Sequence, residues 1–393
     1  MSASRGREER SSSRAAAPAG FDAFLGNARI VSALRGMLAA ERVPHALLFT
    51  GPRGIGKYTL ARMFAQAANC ERLKDNFCGE CDPCKRIAQL ADPLPLIEKG
   101  LAERGESADA ATVERVPLIL QTHPDVWVFV PDPIRSKSPV VRPVLHVGQL
   151  RAIQRAAYFQ PTARRRVFIL DGADTMRPDY SNIFLKVLEE PPESATLILL
   201  AASPFALLPT IRSRCIQFTF ASLGANLVDQ VLREHTELDS ARRQLAAELG
   251  EGSPGIAMEL DLEAAAELRN SALAILESAA SGGSFGELFG RTDRLAKQRE
   301  IPFERVLDVF YSLLNDLLVL TWVPSEQQLR NPALRKRLEV LSKKVDAAWV
   351  TTAIGGIDRL HGSLRRNVNR QLGLDAVATS LASRAADFGQ PRE

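Results

Sequence analysis

Apolar positions change their period along this chain, and the change divides it in two. Ile30, Leu34 and Leu38 recur at helical spacing within residues 21–42, which predicts an amphipathic helix. Ala46-Leu47-Leu48-Phe49-Thr50 is a short apolar run of the kind that makes a buried strand. A glycine-rich stretch, 51–57, follows it, and a helical pattern then runs from Tyr58 to about Ala68. Further on, Val167-Phe168-Ile169-Leu170 and residues 196–202 read as buried strands. Helical patterns run from Arg151 to Tyr158 and from Asp179 to Glu190, the second stopped by Pro191-Pro192 because proline cannot continue a helix. Strand alternating with helix predicts an α/β domain, a mostly parallel sheet with helices on both faces. Residues 91–145 break the rhythm. Rich in proline, they read as an irregular insertion with one short helix near 108–120.

After Phe220 the period becomes helical throughout, and no strand is predicted. Gly250 to Gly255 interrupts one group of helices, and the Ser/Gly-rich stretch 278–284 reads as a linker. Leu307, Phe310, Leu314, Leu317 and Leu318 form a wide apolar helix face, and Leu374, Val377 and Leu381 form another. Core packing of a helical bundle is the plain explanation of both stripes. No internal repeat is visible.

A length of 393 residues suggests two or three domains, and 46% apolar with 24% charged residues fits an ordinary globular chain. No apolar run approaches the ~18 residues a membrane span needs. Residues 1–20 are Ser-, Ala- and Arg-rich and lack an apolar core, so they read as a disordered tail and not as a secretory signal. The cytoplasm is the expected compartment. The net charge of +4 permits nucleic-acid contact without announcing it, and three Trp and four Tyr argue against a base-stacking surface.

The stretch after the first strand carries the most specific chemistry. Gly51-Pro52-Arg53-Gly54-Ile55-Gly56-Lys57 has the Gly-x-x-x-x-Gly-Lys spacing of a phosphate-binding loop. Gly51, Gly54 and Gly56 would let backbone N–H groups approach phosphate oxygens, and Lys57 would neutralise the β/γ charge. The next residue should carry a hydroxyl for magnesium, and it is Tyr58, whose phenol lies too far from the backbone. Thr59 is one residue late, about 100° round the helix. A glycine-rich turn without a ligand is the alternative, disfavoured by the strand before it and the helix after it. Hydrolysis also needs an apolar strand ending in Asp and then Glu. Asp171 ends the strand 167–170, but Gly172 stands where the Glu would polarise water. Binding of ATP or ADP stays open, while turnover by this chain alone is not expected.

Four of the five cysteines, Cys70, Cys78, Cys81 and Cys84, fall within one short segment, Cys-x7-Cys-x2-Cys-x2-Cys. That spacing suits a closed, structural zinc site. Reduced buried thiols and an iron–sulfur cluster are the alternatives.

Together these residues resemble one family, the bacterial clamp-loader AAA+ subunits of DNA polymerase III. The likeness covers about 21–385. It includes His123-Pro124-Asp125 after the cysteine module, Leu185-Lys186-Val187-Leu188-Glu189-Glu190-Pro191-Pro192, and Ser213-Arg214-Cys215. The resemblance implies a RecA-like AAA+ domain at 21–221, with a zinc module at 70–84 and an insertion at 91–145. A helical lid at 222–280, a helical collar for oligomerisation at 281–386 and a tail at 387–393 would follow. It implies a pentamer that opens a sliding clamp and places it on primed DNA, with gamma/tau and delta subunits as partners. Arg214 is similar to an arginine finger that reaches a neighbour's ATP; a surface arginine in a salt bridge is the plainer alternative.

Within the family, the losses at Tyr58 and Gly172 point to delta-prime, a stator, and away from a motor subunit. Ala201-Ala202-Ser203 in place of a polar sensor points the same way, as does Gly252-Ser253-Pro254-Gly255 where motors carry a sensing Arg. Asn367, Asn369 and Leu372 resemble delta-prime's last collar helix. The alternatives are a gamma/tau-like ATP-hydrolysing motor and a zinc-dependent nucleic-acid-binding regulator. Arg151, Arg155 and Arg164-Arg165-Arg166 are candidate DNA contacts, with a solvated basic face as the plainer explanation. Arg335-Lys336-Arg337 and Lys343-Lys344 read as ordinary helix surface.

Overall fold

The computed structural model describes residues 20–105, 109–132, 143–282, 284–298, 301–322, 329–364 and 369–388. The expected tail at 1–20 (apart from Gly20), Asn367 and residues 389–393 lie outside them, as do 106–108 and 133–142 of the insertion. The chain divides into two compact units, Met1–Ser222 and Leu223–Glu393.

The first unit is built on a six-stranded sheet in the order β2-β3-β4-β5-β1-β6. Its strands are β1 (Ala46–Thr50), β2 (Leu120–His123), β3 (Val126–Phe129), β4 (Arg166–Leu170), β5 (Ala195–Ala201) and β6 (Ile216–Thr219). β3, β4, β5, β1 and β6 pair in parallel, and β2 joins the β3 edge antiparallel. β1, β4 and β5 are buried along their whole length, as expected of parallel strands covered on both faces. The helices of this unit are α1 (Ala28–Ala39), α2 (Lys57–Asn69), α3 (Asp82–Ala88), α4 (Leu94–Arg104), α5 (Ala110–Arg115), α6 (Val147–Ala157), α7 (Pro178–Glu189) and α8 (Pro209–Arg212). One apolar layer joins Leu48, Phe168, Leu197 and Leu199 of the sheet to Leu150 and Ile153 of α6 and Phe184 and Leu188 of α7. α2 lies against β4 and β5.

The mostly parallel sheet with helices on both faces is as expected, but two parts of it correct the sequence reading. The segment 91–145 is not merely irregular: it supplies α4, α5, β2 and the interior strand β3. The Val126-Trp127-Val128-Phe129 run has the β-branched and aromatic character that packs well on a pleated sheet. Prolines at 117, 124 and 131 mask it. The insertion is fastened to the sheet by buried polar contacts. Arg104 grips Asp132 through two hydrogen bonds of 2.8 and 2.7 Å, and Gln149 donates to the carbonyls of Leu118 and Val130 at 2.8 and 3.0 Å. The second correction is β6, an edge strand of only four residues, Ile216-Gln217-Phe218-Thr219, too short for its alternation to mark it.

The second unit is helical throughout its described residues. It contains α9 (Ala225–His235), α10 (Ser240–Leu249), α11 (Pro254–Glu259), α12 (Leu262–Ala280), α13 (Phe285–Lys297), α14 (Phe303–Trp322), α15 (Arg335–Ser342), α16 (Ala347–Ser363) and α17 (Arg370–Phe388). The stretch 278–284, read as a linker, begins inside α12. Two apolar clusters form within the unit. Val228, Leu232, Ala246, Leu249, Ala257 and Leu262 make the smaller. The larger draws on Leu268 to Ala279 of α12 and on α13 to α17, including both predicted stripes. α12 therefore belongs to both clusters, with its first turn in one and the rest in the other.

Candidate functional site

In a parallel sheet the loops after the strands share one edge, so the loops leaving β1 and β4 face the same side. The loop after β1 is the glycine-rich stretch. Gly51 has φ 142°, and a Cβ there would lie 2.7 Å from the Phe220 carbonyl oxygen, so the turn admits only glycine. Gly54 and Gly56 also have positive φ, and Gly56 leads directly into α2. Lys57 Nζ donates to the carbonyls of Gly51 and Pro52, each at 2.7 Å, curling over its own loop. Burial lowers the Lys57 pKa, against the pull of Asp171 and Asp174. Burial raises the Asp171 carboxyl, opposed by Lys57. The structure thus brings Gly51, Gly54, Gly56, Lys57 and Asp171 to one place. A loop that admits no side chain at Gly51, a helix N-terminus and a lysine form a donor set that fits phosphate.

The metal-handling part is built differently. Tyr58 points away from the loop, and its hydroxyl donates to the Leu90 carbonyl at 2.6 Å. Burial pushes its phenol well above the usual range, so it stays a neutral donor. Thr59 is exposed on the first turn of α2. After Asp171, Gly172 is left-handed with φ 72°, and a Cβ at this position would lie 2.8 Å from Cγ of Pro131. The position of the missing base thus has no room for a side chain. Asp174 accepts a hydrogen bond from the Ala202 N–H at 3.3 Å, and Ser203 accepts from the Phe205 N–H at 3.3 Å, capping a short turn.

The four clustered cysteines converge. Cys70 follows α2, Cys78 and Cys81 lie in the turns beyond it, and Cys84 is in α3, with all four Sγ atoms within 4.8 Å of one another. The N–H groups of Glu80 and Cys81 donate to Cys78 Sγ, both at 3.4 Å. Burial works against ionisation of Cys78, but these N–H bonds draw its thiol down to about 6. Four such sulfurs form a set able to hold one metal ion with no open position. The module is tied to its surroundings on several sides. Asn76 Oδ1 accepts from the Phe21 N–H at 2.9 Å, Arg35 pairs with Asp75 at 2.8 Å, and Gln66 donates to the Cys84 carbonyl at 3.0 Å. Cys215 lies apart, and burial pushes its thiol up to about 12.

Arg214 follows α8 and is half-buried. Its Nη1 donates to the Thr210 carbonyl and its Nη2 to Glu189 Oε1, each at 2.9 Å. The contact joins Ser213-Arg214-Cys215 to the Glu-Glu-Pro-Pro end of α7, a pairing with no signal in the sequence. The structure separates the candidate basic residues. Arg166 is buried and pairs with Asp125 at 2.9 Å, so it is a structural ion pair and not a surface cation. Asp125 also accepts from the Ala163 N–H at 2.7 Å, which explains the His-Pro-Asp segment as a brace for the start of β4. Arg165 donates to Thr196 Oγ1 at 3.1 Å, Arg164 to the Leu73 carbonyl at 3.2 Å, and Arg151 pairs with Glu114. Arg155 is exposed. In the second unit Arg335 pairs with Glu339 and Arg337 with Glu277, each at 2.7 Å. Asn369 caps α17 by accepting from the Gln371 N–H at 3.0 Å, and Leu372 is exposed.

A parallel sheet carrying a phosphate-loop sequence after one strand and an aspartate after another, with an all-helical region behind it in sequence, defines a protein of AAA+ fold type. A family model described as "DNA polymerase III, delta subunit" matches residues 26–224, half of the chain. The chain belongs to that family, the bacterial clamp-loader AAA+ subunits of DNA polymerase III. Among curated proteins it is similar to the DNA polymerase III subunit gamma/tau of Mycobacterium tuberculosis (strain ATCC 25618 / H37Rv). That match is 31% identical over 245 residues, covering 60% of this chain and 36% of the relative. It is also similar to the tau subunit of Bacillus subtilis (strain 168), 24% identical over 372 residues, covering 88% of this chain and 59% of the relative. The chain thus spans between 36% and 59% of the length of these two relatives. Among solved structures, a DNA polymerase III gamma subunit-related protein from Thermotoga maritima is 17% identical. The likeness covers 90% of this chain and 99% of the other, at a TM-score of 0.34.

Proposed function

We propose that this chain is a delta-prime-like stator of the DNA polymerase III clamp loader. In this role it helps to load the sliding clamp onto primed DNA without driving hydrolysis itself. One observation carries the proposal: the backbone after Asp171 is left-handed at Gly172 and closed off by Pro131, so the catalytic carboxylate has no place to stand. The diversion of Tyr58 to Leu90 supports it from the other half of the site. Gly51, Gly54, Gly56 and Lys57 would still hold the phosphates of ATP or ADP. A nucleotide there would serve as a fixed structural ligand. Thr59 and Asp171 are the remaining groups near the loop.

On this reading 21–221 is the AAA+ module, 222–280 the lid and 281–386 the collar through which gamma/tau and delta subunits assemble with it in the cytoplasm. Arg214 is the arginine finger, offered to the ATP of a neighbouring subunit, where it would stabilise charge on the γ-phosphate. Cys70, Cys78, Cys81 and Cys84 hold one structural zinc ion. The test is reconstitution with candidate loader subunits and an assay of ATP turnover. The chain alone should be inert, and Arg214→Ala should depress turnover of the assembly while leaving the fold intact. An unchanged assembly rate defeats the arginine-finger role. A gamma/tau-like motor is the second reading, favoured by the likeness to gamma/tau proteins and the intact Lys57. Turnover by the isolated chain, abolished by Lys57→Ala, would establish it instead.

A further inference from the structure

Arg214 is not presented as a bare cation. Its guanidinium bridges two helix ends, the carbonyl of Thr210 in α8 and the carboxylate of Glu189, the last residue of α7. One anchor carries the partial negative charge of a carbonyl and the other the formal charge of a carboxylate at the C-terminus of α7. Helix C-termini carry unpaired carbonyls and the negative end of the helix dipole, and a carboxylate there is disfavoured unless a cation accompanies it. The pair is also open to water, with the Arg214 side chain 35% exposed and that of Glu189 48% exposed. Exposed pairs of this kind are weak and exchange their partners readily.

We propose that Glu189 is a positioning residue: a counter-ion in cis that catches Arg214 until the triphosphate of an adjoining subunit competes it away. The proposal rests on the arginine-finger reading of Arg214. A carboxylate carries one negative charge and a γ-phosphate more, so the phosphate wins the guanidinium when present and loses it once the γ-phosphate has gone. The carboxylate thus keeps the side chain ordered and neutralised between turnovers. It also sets a threshold, because the neighbour's nucleotide must displace Glu189 before the finger engages.

The test is a double-mutant cycle in the loader reconstituted from this full chain and ATP-hydrolysing subunits. Glu189→Gln keeps an acceptor but removes the charge. It should lower the ATP concentration for half-maximal turnover about two- to five-fold, the range set by exposed ion pairs. The shift should shrink as salt is raised, since exposed charges are screened. It should vanish in an Arg214→Ala background. Glu189→Ala should behave as Glu189→Gln does. If Arg214→Ala leaves assembly turnover untouched, the finger reading fails and the catch with it. If Arg214→Ala depresses turnover but Glu189→Gln half-saturates as wild type does, the catch is overturned and the finger stands. The same holds if Glu189→Gln shifts half-saturation equally without Arg214.

Discussion

The hydroxyl of Tyr58 donates to the carbonyl of Leu90, 2.6 Å away, across 32 residues of chain. One partner opens the helix after the phosphate loop, and the other lies just beyond the cysteine module. A position that would bind magnesium in a motor subunit has become a strut between the loop and that module. Losing the hydroxyl leaves a part-buried carbonyl unpaired, which costs about 1–2 kcal/mol. Tyr58→Phe should therefore lower the unfolding free energy by that amount, seen as a lower denaturant midpoint at unchanged m. Tyr58→Thr restores a small hydroxyl next to Lys57 but should give no ATP turnover, because Gly172 still supplies no base. Measurable hydrolysis by the isolated Tyr58→Thr chain would contradict this account of the site.

Gly172→Glu is the natural attempt at repair, and the backbone opposes it. A non-glycine residue at φ 72° costs about 1–2 kcal/mol, and the new Cβ would press on the Pro131 ring at 2.8 Å. The variant should melt earlier than wild type and remain without turnover. A stable variant with motor-like activity would show that Pro131 yields and that the loss of function at this position is shallow.

Metal content tests the cysteine module separately. Whole-chain metal analysis should find one zinc per chain, and Cys78→Ser combined with Cys81→Ser should find none. Structural metal sites contribute folding free energy directly, so the doubly substituted chain should also unfold earlier and lose its metal-dependent resistance to proteolysis near residues 70–84. Iron in place of zinc, or no metal in the wild-type chain, removes the assignment.

The features legible in the sequence were the local ones. Strands β1, β4 and β5 declared themselves because strands buried on both faces are continuous apolar runs. The phosphate loop and the cysteine spacing are short-range patterns whose geometry follows from residue order. The features missed are relationships over distance. Arg166 reads as one of three surface arginines, yet it is buried because Asp125 lies 41 residues earlier. The absence of a base at Gly172 is visible in the sequence; the Pro131 ring that closes the space is not, since it arrives from the segment after β3. β3 is hidden by the prolines around it, and β6 by its length of four residues.

The helical unit carries a titrating group that the sequence does not single out. Glu251 sits between two glycines with φ 51° and is largely withdrawn from solvent. Burial raises its pKa to about 6 from an ordinary value of 4.5; Arg305 and Arg330 oppose the rise, and Asp308 and Asp316 add to it. The folded state thus favours the protonated form. The stability this group contributes is fully present below pH 4.5 and is lost as pH rises through about 6. At about 1.4 kcal/mol per pKa unit the loss is on the order of 1–2 kcal/mol. Glu251→Gln keeps the neutral shape at every pH. It should therefore raise the thermal midpoint at pH 8 and leave it nearly unchanged near pH 4.5. Melting both proteins across that range checks the sign. A variant that melts below wild type at pH 8, by a deficit that shrinks toward acid, would mean that Arg305 and Arg330 hold Glu251 as a carboxylate, and a difference flat with pH would mean that folding leaves its pKa unchanged.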